Sequence, residues 1–335
     1  SRHAGRAGGG RRAYGARRSV RHRHASAARA EGGLLGGDGR RDLCHRVPRR
    51  APRRAALAPA LARLAPREIL VADGVSNDTV SLIEETGAAI TPLSPSSFDS
   101  GSAERRIQSL FQVKSLDSFG SFTRSDLAAM GAIIDYLEIT QKGKLPLLRA
   151  PSRTLAQRMM QIDAATRRNL ELTASMNGGR AGSLLATIDR TLTAGGARLL
   201  EHRLSSPSTQ IPVVTERLDA VSACVADSAL SDTLRDTLRK VPDMDRALSR
   251  LGLDRGGPRD LAAIRTGLSE AAHLHEILQT QDLPEVLSNN VTALTGHDDL
   301  LDLLKAALIA EPPLLARDGG FIAPGYDKDL DETRQ

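Results

Sequence analysis

Only six lysines occur in the 335 residues, and of these Lys144 alone directly follows a glycine, Gly143. A phosphate-binding P-loop needs Gly, four residues, then Gly-Lys-Ser/Thr, so that backbone amides wrap the phosphate and the ammonium meets its charge. Glu138 and Leu145 stand where that pattern requires a glycine and a hydroxyl, so it fails at both ends. Gly178-Gly179-Arg180-Ala181-Gly182 is glycine-rich, but it has no preceding strand and no GxGxxG spacing, and predicts a loop. Metal chemistry fares no better. His273 and His275 are two apart and fall on different sides of a helix, whereas a zinc-type pair needs i and i+4. His275 lies on an apolar seam and predicts a packed core histidine, while His202 and His297 have no clustered partner. No serine sits in GxSxG. The carboxylates Asp243 and Asp245, Asp298, Asp299 and Asp302, and Asp327, Asp329, Asp331 and Glu332 gather where helices begin. Negative groups there cap free amides and favour the helix dipole. Nothing pairs an acid and a base with a nucleophile, so no catalytic, cofactor-binding or metal-binding residue is expected in this chain.

Charge is unevenly spread. The formal net charge is +6, but residues 1–55 hold 16 Arg, no Lys and three acids, so the remaining body is mildly acidic. The head is built mainly from Arg, Ala and Gly with no sustained period of 2 or 3.6, a composition expected to be disordered. It reads either as a basic arm for phosphate backbones, held by counterion release, or as an out-of-frame translation, because Arg, Ala, Gly and Pro share G/C-rich codon starts. Tryptophan is absent and Tyr and Phe number three and five, which argues against an aromatic platform for stacking bases. Cys44 and Cys224 form neither a CxxC knuckle nor a disulfide framework, so a reducing, cytoplasmic setting is expected. No apolar run approaches the roughly 18–20 residues of a membrane span.

The elements expected to position side chains start near Ala56. Ala60, Leu61, Ala62 and Leu64 predict a short helix with Pro59 in its first turn and Pro66 closing it. Ile69-Leu70-Val71 has the continuous apolar character of a strand buried on both faces. Ser76 or Asn77 then caps a helix carrying Val80 and Ile83, Gly87 ends it, and Ala88–Thr91 is a second strand. Strand, helix, strand over so short a span is a parallel βαβ unit. Residues 92–102 predict a loop. From Glu104 onward helix follows helix. Leu127, Met130, Ile134 and Leu137 step by three and four behind a Ser125 cap. Ile211, Val214, Leu218, Val221 and Val225 do the same behind Ser208, and Leu261, Ile264, Leu268, Ala271, His275 and Leu278 form a longer seam. Leu300, Leu304 and Leu308 repeat every four. Each seam is expected to be buried and each opposite face solvated. Asp327 caps a final helix from Lys328 that is expected to continue past Gln335.

Two segments are unusually detailed for ordinary packing. One is Ile162-Asp163-Ala164-Ala165-Thr166-Arg167-Arg168-Asn169-Leu170-Glu171-Leu172, where Asp163 can accept amide bonds from Thr166 and Arg167 and Arg168 can reach for carboxylates. The other is Arg317-Asp318-Gly319-Gly320 with Gly325-Tyr326-Asp327. Between them come Asp189-Arg190-Thr191, Gly196-Ala197-Arg198, Pro207, Glu216-Arg217-Leu218 and Pro242-Asp243-Met244-Asp245-Arg246. On these residues the sequence resembles the MutS family of DNA mismatch-repair ATPases, over about residues 57–335. The positions that match family motifs are Asp163, Thr166, Arg167, Asn169, Leu170, Glu171, Asp189, Thr191, Gly196, Arg198, Pro207, Arg217, Asp245, Arg246, Arg317, Asp318, Gly319, Gly320, Gly325 and Tyr326. They are expected to be structural.

The resemblance implies a mainly α fold: a multi-helix core or lever domain at 116–316, preceded by a partial α/β connector at 56–115 and followed by the start of a clamp at 317–335. Residues 1–55 match nothing in it. The Phe-x-Glu wedge that reads mismatches in the family is absent from the sequence, and the ATPase motif is not found. The resemblance therefore implies a connector-and-core fragment that relays nucleotide state to a DNA clamp. In the parent family ATP and Mg2+, mismatched double-stranded DNA, a second copy of the chain and a MutL-type partner take part. Two other functions stay open on sequence: an Arg-rich non-specific nucleic-acid-binding protein, and a helical adaptor.

Overall fold

Apolar residues on β3 (Glu68–Ala72) meet the underside of two helices, and this is where the first core forms. The computed structural model of the chain describes residues 34–36, 42–45, 53–143, 145–152 and 158–334. Strand β3 pairs in parallel with β4 (Ala89–Leu93), Ile69 opposite Ile90. The connection is α2 (Asn77–Glu84), the expected right-sized crossover. Helix α1 (Arg53–Leu64) covers the sheet, and Leu57, Leu61, Ile69, Val71, Leu82 and Ile83 close the core between them. Pro59 is inside α1 and not in its first turn, because the helix begins several residues before the expected start. Within the stretch expected to lack order, the chain forms β1 (Leu34–Gly36) and β2 (Asp42–His45), an antiparallel pair with an irregular register after Leu35. The rest of the Arg-rich head lies outside the described residues.

Two longer helices continue this unit. α3 (Ser100–Phe111) is capped by Asp99, whose carboxylate accepts from the Ser102 amide at 2.7 Å. α4 (Arg124–Thr140) starts with a full capping box: Thr123 Oγ1 accepts from the Asp126 amide, and Asp126 accepts from the Thr123 amide at 2.8 Å. The expected cap, Ser125, is already inside the helix, since Thr123 has the partner three residues on that Ser125 lacks. Ile107, Leu116, Leu127, Met130 and Ile134 form the core between α3 and α4, with Phe111 and Phe119 edge to face. Phe98, Ala128 and Ala132 pack this pair onto Ala72 and Leu93 at the sheet end. Gly131 and Ala103 are where the two helices touch most closely; a Cβ on Gly131 would overlap that of Ala103.

The second unit is entirely helical among the described residues: α5 (Ala164–Asn169), α6 (Leu184–Ile188), α7 (Ala194–Ser205), α8 (Ile211–Ala226), α9 (Ser228–Leu238), α10 (Met244–Gly252), α11 (Pro258–Leu278), α12 (Glu285–Thr292), α13 (Asp298–Ala307) and α14 (Lys328–Arg334). The mainly α architecture with a small parallel sheet thus matches expectation. The long α11 is the spine. Ala247, Ile264, Leu304 and Leu308 make its first core with α10 and α13. Leu274, Leu278 and Val291 make a second with α12 and with Leu230, Leu234 and Leu238 of α9. On α13 the buried residues are Leu301 and Leu304, while Leu300 is exposed; the strict four-residue step drifts off the buried stripe because a turn is 3.6 residues. Asp327 caps α14 as expected, accepting from the Leu330 amide at 3.0 Å.

One expected seam is reversed. Ile211, Val214, Leu218, Val221 and Val225 all point outward from α8, and none of that helix is buried. Its cap is Gln210, not Ser208, whose hydroxyl instead accepts from the Gln210 amide at 3.1 Å.

Candidate functional site

The motif residues of the first detailed segment build a compact turn. Asp163 caps α5, its Oδ1 accepting from the Ala165 and Thr166 amides at 2.9 Å each and its Oδ2 from the Thr166 hydroxyl at 2.6 Å. The Thr166 bonds hold its carboxyl below the usual carboxylate range. Asn169 ends α5, and Leu170 is exposed. Glu171 takes a left-handed backbone (φ 45°) and folds its Oε1 back onto the Met176 amide at 2.6 Å. Asp189 repeats the device of Asp163, accepting from the Thr191 amide at 2.9 Å and its hydroxyl at 2.6 Å; these bonds and the ion pair with Arg180 lower its pKa. Gly196 gives its amide to Thr193 Oγ1, which caps α7, at 2.9 Å. The Pro207 carbonyl accepts from the Met160 amide at 2.8 Å.

Arg167 departs from expectation. It reaches no carboxylate; its Nη2 donates to the Ser205 carbonyl at 2.9 Å, and Nε and Nη1 are buried with no hydrogen-bond partner among the described residues. Beside it comes Arg63 from the end of α1, donating to the Ser206 hydroxyl at 3.3 Å. Burial, and then the charge of Arg167, bring the Arg63 guanidinium down to about 10. Two cations from different units thus meet over one turn, Ser205-Ser206.

A second contact joins the units through carboxylates. Arg198 of α7 grips Asp243 with two bonds of 3.0 Å, and its Nη2 also reaches Asp245 at 3.1 Å. Asp245 in turn accepts from Arg149, at the end of the first unit, at 3.2 Å. Asp243 is at the same time the cap of α10, accepting weakly from the Arg246 amide. The Arg198 bond holds the Asp243 carboxyl below its ordinary value, and the pairing raises Arg198. Arg255 adds a bond to Gln141 at 3.1 Å across the same side. Four polar links therefore connect the sheet unit to α5, α7, α10 and the turn after α10. Arg–carboxylate forks of this kind fix orientation as well as distance.

The second detailed segment stands apart from this junction. Arg317 and Asp318 lie in a short 3-10 turn, where Asp318 accepts from the Leu315 amide. Gly319 and Gly320 follow at φ 67°, a backbone that residues with a side chain rarely adopt. Gly325 donates to Asp331 at 2.6 Å, and Tyr326 is largely exposed. Arg217 projects from α8. So the structure brings Arg167, Arg198 and Asp245 to the junction and leaves Arg217 and the Arg317–Tyr326 segment outside it. Sequence reading missed Arg63 and Arg149, which carry no local signature: each is one arginine among many, selected only by where its helix or strand end arrives.

Nucleotide and Mg2+ find no donor set here. Among the described residues no three His, Cys, Asp or Glu side chains are grouped to hold a metal ion. The positive-φ glycines Gly178, Gly179 and Gly182 form an exposed turn after no strand. No helix among the described residues is long and apolar enough to cross a membrane.

Comparison with known proteins agrees with this two-unit layout. Residues 45–149 match the model of MutS domain II, and residues 165–332 match that of MutS domain III. The first match runs through α3 and α4, well past the limit at 115 expected from sequence, in keeping with their packing on the sheet. A DNA mismatch repair protein MutS from Ruegeria sp. (strain TM1040) is 60% identical over 282 residues, 84% of this chain and 32% of the relative. The protein of that name from Roseobacter denitrificans is 59% identical over 278 residues, 83% of this chain and 32% of the relative. The chain spans about a third of the length of these relatives. With domain models covering both of its units in order, the chain belongs to the MutS family.

Proposed function

We propose that this chain is the connector and lever segment of a mismatch-recognising ATPase, relaying nucleotide state to a DNA-gripping clamp. The observation that carries the proposal is the junction itself. Two units, each with its own core, are joined by a small number of oriented polar links through Arg63, Arg149, Arg198 and Arg255. Packed helical cores are stiff, so a displacement at one end of a unit emerges at the other. A joint of few polar bonds is where such units can hinge. ATP and Mg2+, mismatched duplex, a second copy and a MutL-type partner belong to this function through the parent family, in a cytoplasmic setting. The names of the relatives, with 60% identity over most of the chain, favour it over a free-standing Arg-rich nucleic-acid binder or a helical adaptor.

The test is a chimera. The matched segment replaces its counterpart in the full-length Ruegeria relative, and binding to mismatched and fully paired duplex is measured with and without ATP. The expected result is retained mismatch preference and ATP-triggered release. In the same chimera Asp245→Asn leaves ATP turnover in place but weakens the dependence of release on ATP. A chimera that binds and turns over normally, with release untouched by Asp245→Asn, Arg149→Ala and Arg63→Ala together, would overturn the proposal.

A further inference from the structure

The outward seam of α8 is the largest ordered apolar feature that the function above does not use. Ile211, Leu218 and Val225 are 78, 59 and 77% exposed, with Val214 and Val221 between them. The helix does have an inner face, formed by Val213, Ala220 and Cys224, which meets α9 and α12. Its more apolar stripe is therefore turned away from the molecule, against the usual sense of amphipathic packing. The steps of 3, 4, 3 and 4 place these five residues at the a and d positions of two successive heptads, the narrow seam that accepts a single second helix. A broad or irregular apolar patch would not specify a helix; this one does.

Charge selects the kind of helix. Flanking the seam are Thr215, Arg217, Ser222 and Cys224, so the edges carry one cation and no acid. Arg203 of α7 lies close enough that Arg217 lowers its pKa, after the larger effect of burial. Neither arginine makes an ion pair or hydrogen bond among the described residues. A second copy of the chain would bring the same flanks and no carboxylate to Arg217. Area argues the same way. Five aliphatic side chains offer roughly 300–600 Å2 at about 25 cal/mol per Å2 and 1.5–3 kcal/mol each, against the approximately 800 Å2 per partner of a stable interface.

We propose that the outward seam of α8 is a docking surface for one amphipathic helix with aliphatic residues at heptad spacing and carboxylates along its flanks. This goes beyond the lever function: it assigns a partner surface that the junction between the two units does not need.

The experiment uses the whole chain, isotopically labelled for amide NMR, and two synthetic 21-residue helices with Leu at a and d. One has Glu at e and g, the other Lys. The expected result is saturable shifts confined to residues 211–226 with the Glu helix, in a concentration range up to about 1 mM, and at least fivefold weaker binding of the Lys helix. Leu218→Glu abolishes the shifts. Arg217→Glu reverses the order of the two helices, which separates docking from a loss of folding because that variant still binds. Equal affinity for both helices, no saturable shift with either, or shifts spread over the whole molecule would overturn the proposal. So would a concentration-dependent dimer of the free chain that Leu218→Glu removes, since that would make the second copy the occupant.

Discussion

Substituting Gly131 by alanine tests the claim that α3 and α4 are locked onto each other and, through α4, onto the sheet. A Cβ at Gly131 would overlap the Ala103 Cβ and approach its Cα at 3.1 Å, so the conflict includes backbone and cannot be relieved by a rotamer change. Ala103 is 1% exposed, and neither helix has space to retreat into because Ile107 and Ala132 are equally buried. Overpacking of this kind costs about 1–3 kcal/mol, while Ala gains roughly 0.8–1 kcal/mol over Gly in a helix interior. The net expectation is a loss of about 1 kcal/mol despite better helix propensity. Ala103→Gly alone loses propensity and a buried methyl, about 1.5–2 kcal/mol. The double variant exchanges the two residues, removes the overlap and returns the propensity, so it is expected to lie within about 1 kcal/mol of the parent. That leaves a favourable coupling of at least about 1 kcal/mol. Urea unfolding followed through the helical signal gives the four stabilities. If Gly131→Ala were more stable than the parent, or if the two changes simply added, the close contact of α3 with α4 would be refuted.

Three further outcomes follow from particular bonds. Asp243 has its pKa lowered in the folded state by Arg198, so its contribution is present above the unfolded value of about 3.9 and is lost as pH falls through the lower folded value. The stability gap between the parent and Asp243→Asn should be widest above about pH 4 and close on acidification, which acid titrations of both proteins would show. Thr123→Ala removes the hydroxyl that accepts from the Asp126 amide and should cost about 1 kcal/mol, measured by denaturant midpoint. Leu185, 1% exposed at the start of the helical unit, should cost about 2–5 kcal/mol as alanine, seen as a lower thermal midpoint of that unit with the sheet unit little changed.

Local signals accounted for much of this molecule. The run Ile69-Leu70-Val71, the turn at Gly87 and the second short strand specified a parallel βαβ unit, because each depends on neighbours within a few residues. Asp163, Asp189 and Asp327 were legible as caps for the same reason: the amides they bind lie two or three positions on. The helices from 104 onward were legible from their period. The motif positions of the family were recognisable too, and with them the order of the two units.

What only the tertiary structure decided is which surfaces face each other. A 3.6-residue period says that a helix has an apolar stripe, but not whether this chain contains the element that covers it; α11 finds α10 and α13, whereas α8 turns its stripe outward. Arg63 with Arg167, and Arg149 with Asp245, join residues about a hundred positions apart along the chain, and no local pattern distinguishes them from other arginines. The sequence by itself determined the elements and their caps, since these rest on bonds within a turn or two. The junction and the exposed seam were decided by long-range packing, where the partner of a side chain is set by how whole units come together.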